Sequence, residues 1–458
     1  MTLKIKFGDY GMILVLLVLI ILFSLLTIKE ASPSDQRSSQ AVAERILNEV
    51  PPELTVVVYG KDKTEFEDFA KNLVNHLATK GRGKVVLAIG GPGELRRKLN
   101  EVRDEGMSLG AIATAGPAGM QVIRDVPENY PKFQDFAVLI PESRGKSTFF
   151  TLDNFKNVTQ RVVVIAIVAI GMTMVIITAG IDLSVGSLVG LAAMTGAWFI
   201  KERVMASGGD PQDTANLTVL SGFLFAILCA GAFGLFSGAL VACCKVAPFI
   251  VTLGVMMIAR GLAEQANGGF TVSDTQLPAG FRELNHGALV GIPNTMALLI
   301  LLYVVAHIFM TRTKYGRYIY AVGGNMEAAR LSGVPVTGVI ILVYTLCGLL
   351  AGLGGCMEAS RVNAATTVMG TGLELEVIAA VVVGGTSLFG GSGRIFGTLI
   401  GAFIIAIMRT GMNQLNFKDP VQDMVLGAII IIAVLLDRAR QAGFWDRVLR
   451  RRRVASTT

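Results

Sequence analysis

The sequence predicts an all-α polytopic membrane protein of about ten transmembrane helices, with a small soluble α/β domain inserted between the first and second spans. Three observations carry this. The 458 residues are 52% hydrophobic and only 16% charged, where a typical soluble domain is about 25% charged. Apolar runs long enough for a roughly 30 Å hydrocarbon layer recur from Arg161 onward. Between the first such run and the rest lies a polar block whose apolar residues alternate between strand and helix periods. The 52 glycines suit helices that approach closely or break.

The first span is Met12 to Ile28, preceded by Lys4 and Lys6. No small-residue cleavage pattern follows Lys29, so it reads as an uncleaved span rather than a signal peptide. The segment ASPSDQRSSQ is a linker. Strands follow at 54–59, 84–89, 109–115 and 136–140, with helices at 64–78 and 94–105 and a short one near Met120. Thr64 and Glu67 fit a capping box at the first of these helices. The β-α-β-α-β order predicts a mainly parallel sheet. Gly90-Gly91-Pro92-Gly93 joins a strand to a helix and reads as a tight βα turn. Gly145-Lys146-Ser147-Thr148 resembles the end of a phosphate-binding loop, but Ile140 stands where that motif needs its first glycine.

The remaining spans fall at about 161–180, 184–200, 217–242, 248–264, 294–310, 337–357, 374–389, 395–412 and 422–437. The loop 311–336 holds Arg312, Lys314, Arg317 and Arg330, and the tail ends in Arg450 to Arg453. Excess Lys and Arg mark cytoplasmic connections. Both ends are therefore expected in the cytoplasm and the polar block on the opposite, periplasm-like side. The basic tail, which supplies much of the net charge of +7, follows from this topology and gives no reason to invoke nucleic acid.

The stretch 171–190, GMTMVIITAGIDLSVGSLVG, organises the chain. Asp182 is the one charge between Val162 and Ile200. The Gly-Ile-Asp-Leu-Ser-Val-Gly centre is a break between two helices, and broken backbone at membrane depth needs protein partners or a water-filled cavity. Asp182 either caps the second helix at the interface or acts directly in a pathway or in coupling. Gly180 to Ser187 resembles Gly385 to Ser392 at four of eight positions, and paired interrupted segments point to a transport pathway. In the loop, Gly323-Gly324-Asn325 starts a short helix, Met326 to Leu331, ended by Gly333 and Pro335. With Ala328 and Ala329 between Glu327 and Arg330, it reads as a knob for a cytoplasmic partner or as an ordinary charged loop.

Other chemistry is sparse. Cys229, Cys243, Cys244, Cys347 and Cys356 lie in or beside apolar runs with no Cys-x-x-Cys pair and read as small buried hydrophobes. His76, His286 and His307 are scattered. No metal cluster, cofactor site or catalytic triad is expected.

The runs FFTLDNFKNVTQ, GMTMVIITAGIDLSVGS, GRYIYAVGGNMEAARLSGV, LCGLLAGLGG and GTGLELEVIAAVVVGGTSLFGGSGRIFGTLIGA occur in this order. They resemble the membrane permeases of bacterial ribose-type ABC importers, from Phe149 to about Asp437 plus the first span. The resemblance implies a non-catalytic, ten-span inner-membrane permease for a monosaccharide. It works as a homodimer in lipid with a cytoplasmic ABC ATPase and a periplasmic sugar-binding protein. It also implies that Gly324, Asn325, Glu327, Ala328, Ala329, Arg330 and Gly333 belong to the ATPase-docking loop. The expected organisation is a tail and first helix (1–29), an inserted extracytoplasmic domain (30–148), the permease core (149–438) and a basic cytoplasmic tail (439–458). The insert departs from the family's short link, and it reads either as an aid to binding-protein docking or as a spacer. Asp182, Ser184, Ser187, Thr386 and Ser387 are the pathway candidates; the hydroxyls either meet sugar or pack helices. The competing reading is an ion-coupled secondary transporter with Asp182 as its ion site. A membrane sensor would not need ten spans.

Overall fold

A computed structural model describes residues 7–31, 36–116, 119–133, 135–141, 144–147, 149, 151–206, 216–289 and 292–441. The chain divides into two compact units, Ile28–Thr148 and the remainder.

In the Ile28–Thr148 unit, β1 (Ile28–Ala31) pairs antiparallel with β6 (Arg144–Ser147). Between them run α2 (Gln36–Glu49), β2 (Thr55–Gly60), α3 (Glu65–Thr79), β3 (Val85–Ile89), α4 (Pro92–Asp104), β4 (Leu109–Thr114), α5 (Met120–Arg124), α6 (Val126–Asn129) and β5 (Ala137–Leu139). Four strands form a parallel sheet in the order β3-β2-β4-β5. The central strands β2 and β4 are buried at every residue, as expected where helices cover both faces. Val56 and Val58 meet Phe69 and Leu73 on one face; Val57 and Tyr59 meet Leu95 and Leu99 on the other. Buried Arg82 fastens the α2–β2 loop by donating to the carbonyls of Val50, Pro51 and Leu54 at 2.6, 2.7 and 3.0 Å.

Two sequence expectations are refined here. Thr64 Oγ1 caps α3 by accepting from the Phe66 amide at 3.3 Å. Glu67 reaches past Thr64 to the Lys63 amide at 2.8 Å, so the reciprocal half of the capping box is displaced by one residue. Gly145 to Ser147 lie in β6, where an extended strand cannot curl around a phosphate; Thr148 lies outside the described residues.

The other unit is helical: α1 (Phe7–Leu26), α7 (Leu152–Ile177), α8 (Val185–Ala206), α9 (Asn216–Cys243), α10 (Pro248–Gln265), α11 (Ala279–His286), α12 (Asn294–Arg312), α13 (Lys314–Gly324), α14 (Met326–Leu331), α15 (Val336–Val362), α16 (Leu373–Val383), α17 (Ile395–Gln414) and α18 (Asp419–Gln441). A two-residue ribbon, β7 (Ala288–Leu289) with β8 (Ile292–Pro293), precedes α12. Among the described residues, five helices are long and apolar enough to cross a membrane, within α7, α9, α12, α15 and α17; Gly11–Leu26 of α1 is a shorter apolar helix. Burial ranks them. The apolar stretch of α7 is 89% buried and that of α12 only 28%, so α7 is central and α12 peripheral. Helices α9 and α15 touch through glycines: a Cβ on Gly348 would lie 2.6 Å from the Ala230 carbonyl oxygen, and one on Gly352 2.7 Å from Ile227 Cα.

The apolar run 374–389 is not one helix. Helix α16 stops at Val383, and Gly385 turns the chain with φ +83°. Its 11 residues span about 16 Å, roughly half a hydrocarbon layer. Cys347 and Cys356 are buried, but Cys243 and Cys244 are exposed. They sit where α9 ends.

Candidate functional site

The two breaks meet at the end of α13, the helix that precedes the short loop helix. Helix α7 ends at Ile177, and residues 178–184 carry the chain to α8 with Ala179 at φ +60°. Residues 384–394 join α16 to α17, with Gly390 and Gly391 at φ +84° and +71°. The Gly391 amide donates to the Ile177 carbonyl at 2.9 Å. Gly323, at the end of α13, lies between them: a Cβ there would collide with the Ile177 carbonyl oxygen and lie 2.7 Å from the Gly391 nitrogen. Tyr320 of α13 donates its hydroxyl to the Gly393 carbonyl at 2.8 Å. Just beyond the breaks, the buried hydroxyls of Thr173 and Thr398 bond at 2.8 Å and join α7 to α17.

Asp182 is completely buried. Its Oδ1 accepts from the Ser184 amide at 2.9 Å and the Ser184 hydroxyl at 2.6 Å. It therefore shapes the turn immediately before α8. The backbone of the break finds partners on α15, where Tyr344 donates to the Ile181 carbonyl at 3.3 Å, and on α10, through Thr252 at 3.5 Å. Tyr344 is eight residues along α15 from Val336, about 12 Å, so this contact lies inside the bundle.

The other pathway candidates separate. Ser184 belongs to the Asp182 turn, and Ser187 is buried in the first turn of α8. Ser387 donates to Asp437 Oδ2 of α18 at 2.9 Å and its oxygen accepts from the Phe389 amide at 3.2 Å, joining the break to α18. Thr386 is buried, with Gly393 packed against it.

Helix α14 is capped by Asn325, whose Oδ1 accepts from the Ala328 amide at 2.9 Å. It ends at Ser332, and Gly333 turns the chain with φ +83°. Glu327, Ala328 and Arg330 are exposed, as are Gly324 and Asn325. Ala329 is not: it is 5% exposed and packs into the chain's own core. At a helical period of 3.6, adjacent alanines cannot both face a partner. The exposed apolar side chains of this helix are Leu331, at 82% exposure, and Met326, at 47%.

Two sets of charges escaped the sequence reading. Arg409 of α17 is buried and pairs with Glu376 of α16 at 2.9 Å and Asp423 of α18 at 2.8 Å. Arg260 of α10 donates through Nη1 to the carbonyls of Thr367 and Met369, both at 2.9 Å. The signal was present, since each arginine is the lone basic residue inside an apolar run.

A family model described as the branched-chain amino acid transport system / permease component matches residues 154–434. The ribose import permease protein RbsC of Escherichia coli K12 is 42% identical over 295 residues, 64% of this chain and 88% of that protein. The chain belongs to the ribose-type ABC importer permeases. RbsC of Bacillus subtilis 168 is 39% identical over 307 residues, 67% of this chain and 91% of that protein. The D-allose transport system permease protein AlsC of E. coli K12 is 33% identical over 317 residues, 68% of this chain and 92% of that protein. No solved structure matches. The permease is thus a multi-pass inner-membrane protein and a non-catalytic transport subunit; ATP hydrolysis belongs to a separate ATPase, and a substrate-binding protein is the other partner of such a permease. Membership sets aside the ion-coupled transporter. The matched region 154–434 leaves out the Ile28–Thr148 unit.

Proposed function

We propose that the permease imports ribose or a closely related monosaccharide as a ten-span homodimer in the lipid bilayer. The ATPase docks on the loop around α14. Both termini are cytoplasmic, and residues 30–148 form an extracytoplasmic domain that helps receive the sugar-binding protein. The names of the relatives support the sugar, and the basic loop and tail support the orientation.

The observation that carries the mechanism is the meeting of Gly323, Ile177 and Gly391. Helix α14 begins two residues after Gly324. A push on α14 reaches Gly323, which lies directly on the backbone of both breaks. No flexible side chain stands between them to absorb the movement. Energy from a docked ATPase is useful only if its affinity differs between the two states of the permease. A stiff connection from the dock to the breaks supplies that difference.

The test is ribose uptake in cells whose own ribose importer is deleted, supplied with this permease and its two partner proteins. Uptake that requires ATP and fails when Glu327 and Arg330 are both changed to Ala supports the reading. ATP-dependent uptake that survives this change moves the dock elsewhere. Absence of uptake for pentoses and hexoses sinks the sugar assignment.

A further inference from the structure

We propose that Arg260, Glu374 and the non-helical strip Thr366–Gly372 form a sugar-contacting constriction on the translocation pathway. The proposal rests on the importer reading above and adds residues to it.

Backbone geometry comes first. Residues 363–372, between α15 and α16, contain no helix, and Gly370 and Gly372 have φ +72° and +77°. The strip lies against α8: a Cβ on Gly186 would strike the Gly370 carbonyl oxygen, and one on Gly190 would lie 2.5 Å from that of Met369. Arg260, which holds the strip by its carbonyls, is five residues from the end of α10, about 8 Å. The half-length helix α16 starts where the strip ends. The strip lies level with the first two turns of α8, which follow directly on the buried Asp182 turn. Non-helical backbone at that depth is tolerated only inside protein or beside water. Val368 is 71% exposed and Thr371 is exposed, so the described residues leave this side of the strip uncovered. It faces a water-filled space or the second copy of the permease.

Side-chain chemistry points the same way. Glu374 and Arg260 are both only partly buried. The Glu374 carboxylate lies against Gly186, and a Cβ on Gly190 would lie 3.2 Å from Arg260 Nη1. The two charges thus sit one turn apart along the same face of α8, about 6 Å. Arg260 spends one nitrogen on the strip and retains further donors. Glu374 supplies acceptors and Thr367 adds a hydroxyl, while the Thr371 hydroxyl donates to the Val368 carbonyl at 2.7 Å and leaves its oxygen as an acceptor. A donor beside an acceptor with no net charge suits a neutral polyhydroxyl solute and disfavours an anion or a cation. Charges this deep are costly unless functional.

The experiment uses proteoliposomes holding the full permease with its ATPase and binding protein, given ribose or 2-deoxyribose. Glu374→Gln and Arg260→Gln are each expected to cut the sugars delivered per ATP hydrolysed about tenfold, the worth of one good polar contact. Glu374→Asp should recover part of that loss, and the preference for ribose over 2-deoxyribose should fall. Parallel loss of delivery and hydrolysis would mean a structural role and overturn the proposal; so would unchanged delivery. A second measurement does not depend on the sugar. Thr371→Cys, in a chain with its five native cysteines replaced, should react with a membrane-impermeant thiol reagent, and failure to react overturns the water-facing strip. Reaction in a chain that moves no sugar would fault the sugar reading and keep the strip.

Discussion

The Gly391 amide donates a 2.9 Å hydrogen bond to the Ile177 carbonyl, tying the α16–α17 break to the end of α7. Gly323 fits against both atoms only because it has no side chain. Gly323→Ala is therefore expected to wedge this junction apart and lower uptake at least about tenfold. Copurification of the ATPase should persist, since α14 keeps its surface. Normal uptake by the variant would show that the contact transmits nothing.

Leu331 is 82% exposed beside exposed Glu327 and Arg330. Exposed leucine on a six-residue helix suits an anchor for a partner's pocket. Leu331→Asp should weaken ATPase binding about ten- to thirtyfold, a loss of about 1.4–2 kcal/mol. Ala329→Gly, on the inner face, should leave affinity near wild type. A binding assay in detergent with the purified ATPase compares them directly.

Arg409 lies between Glu376 and Asp423. Removing one member of a buried pair leaves a charge without compensation and costs about 3–5 kcal/mol. Arg409→Met should sharply lower the thermal midpoint of the purified permease. The double change Arg409→Met with Glu376→Leu should recover most of the loss, because no lone buried charge remains. An unaltered midpoint in the single variant would place the pair outside the stability of the bundle.

In the Ile28–Thr148 unit, the Lys71 ammonium at 2.8 Å and the Lys63 amide hold the Glu67 carboxyl below its usual range. Arg97 does the same for Glu94. A depressed carboxyl stabilises the fold above its unfolded pKa, about 4.3, and that contribution is lost as pH falls through the folded value. Urea midpoints of the unit should drop on acidification below about pH 4, and Glu67→Gln with Glu94→Gln should flatten that decline.

Joining Thr27 to Phe149 through a short linker, with residues 28–148 removed, should leave a permease that inserts and binds its ATPase. Uptake at low external sugar should fall if the unit helps receive the binding protein. Unchanged uptake would make it a spacer.

What was legible in the sequence was local. The β-branched run at 54–59 marks β2, which the structure places at Thr55–Gly60, and Asn325 with Gly333 brackets α14. The tertiary partners were not legible. Arg409, Glu376 and Asp423 lie on three different helices, and no periodicity links them. The run 374–389 has the composition of a span, but the conformation of Gly384 and Gly385 ends the helix early. Ala329 looked interchangeable with Ala328, and only packing set one inward. At Asp182, composition announced an important carboxylate, and its bonds to Ser184 were needed to see which turn it shapes.

Strands β1 and β6 run side by side, with Ile28 opposite Ser147 and Ala31 opposite Arg144. In the helical unit, the Phe149 amide donates to Thr27 Oγ1 at 3.3 Å, and the rings of Phe23 and Phe149 stack at 5.8 Å. The chain thus leaves and re-enters the bundle through one doorway. A module carried on such a doorway can be gained or lost in a single genetic event, without resetting the register of any helix. The same doorway is a ready port for grafting: another small domain whose termini lie a strand's width apart, about 5 Å, would fit there with the bundle undisturbed.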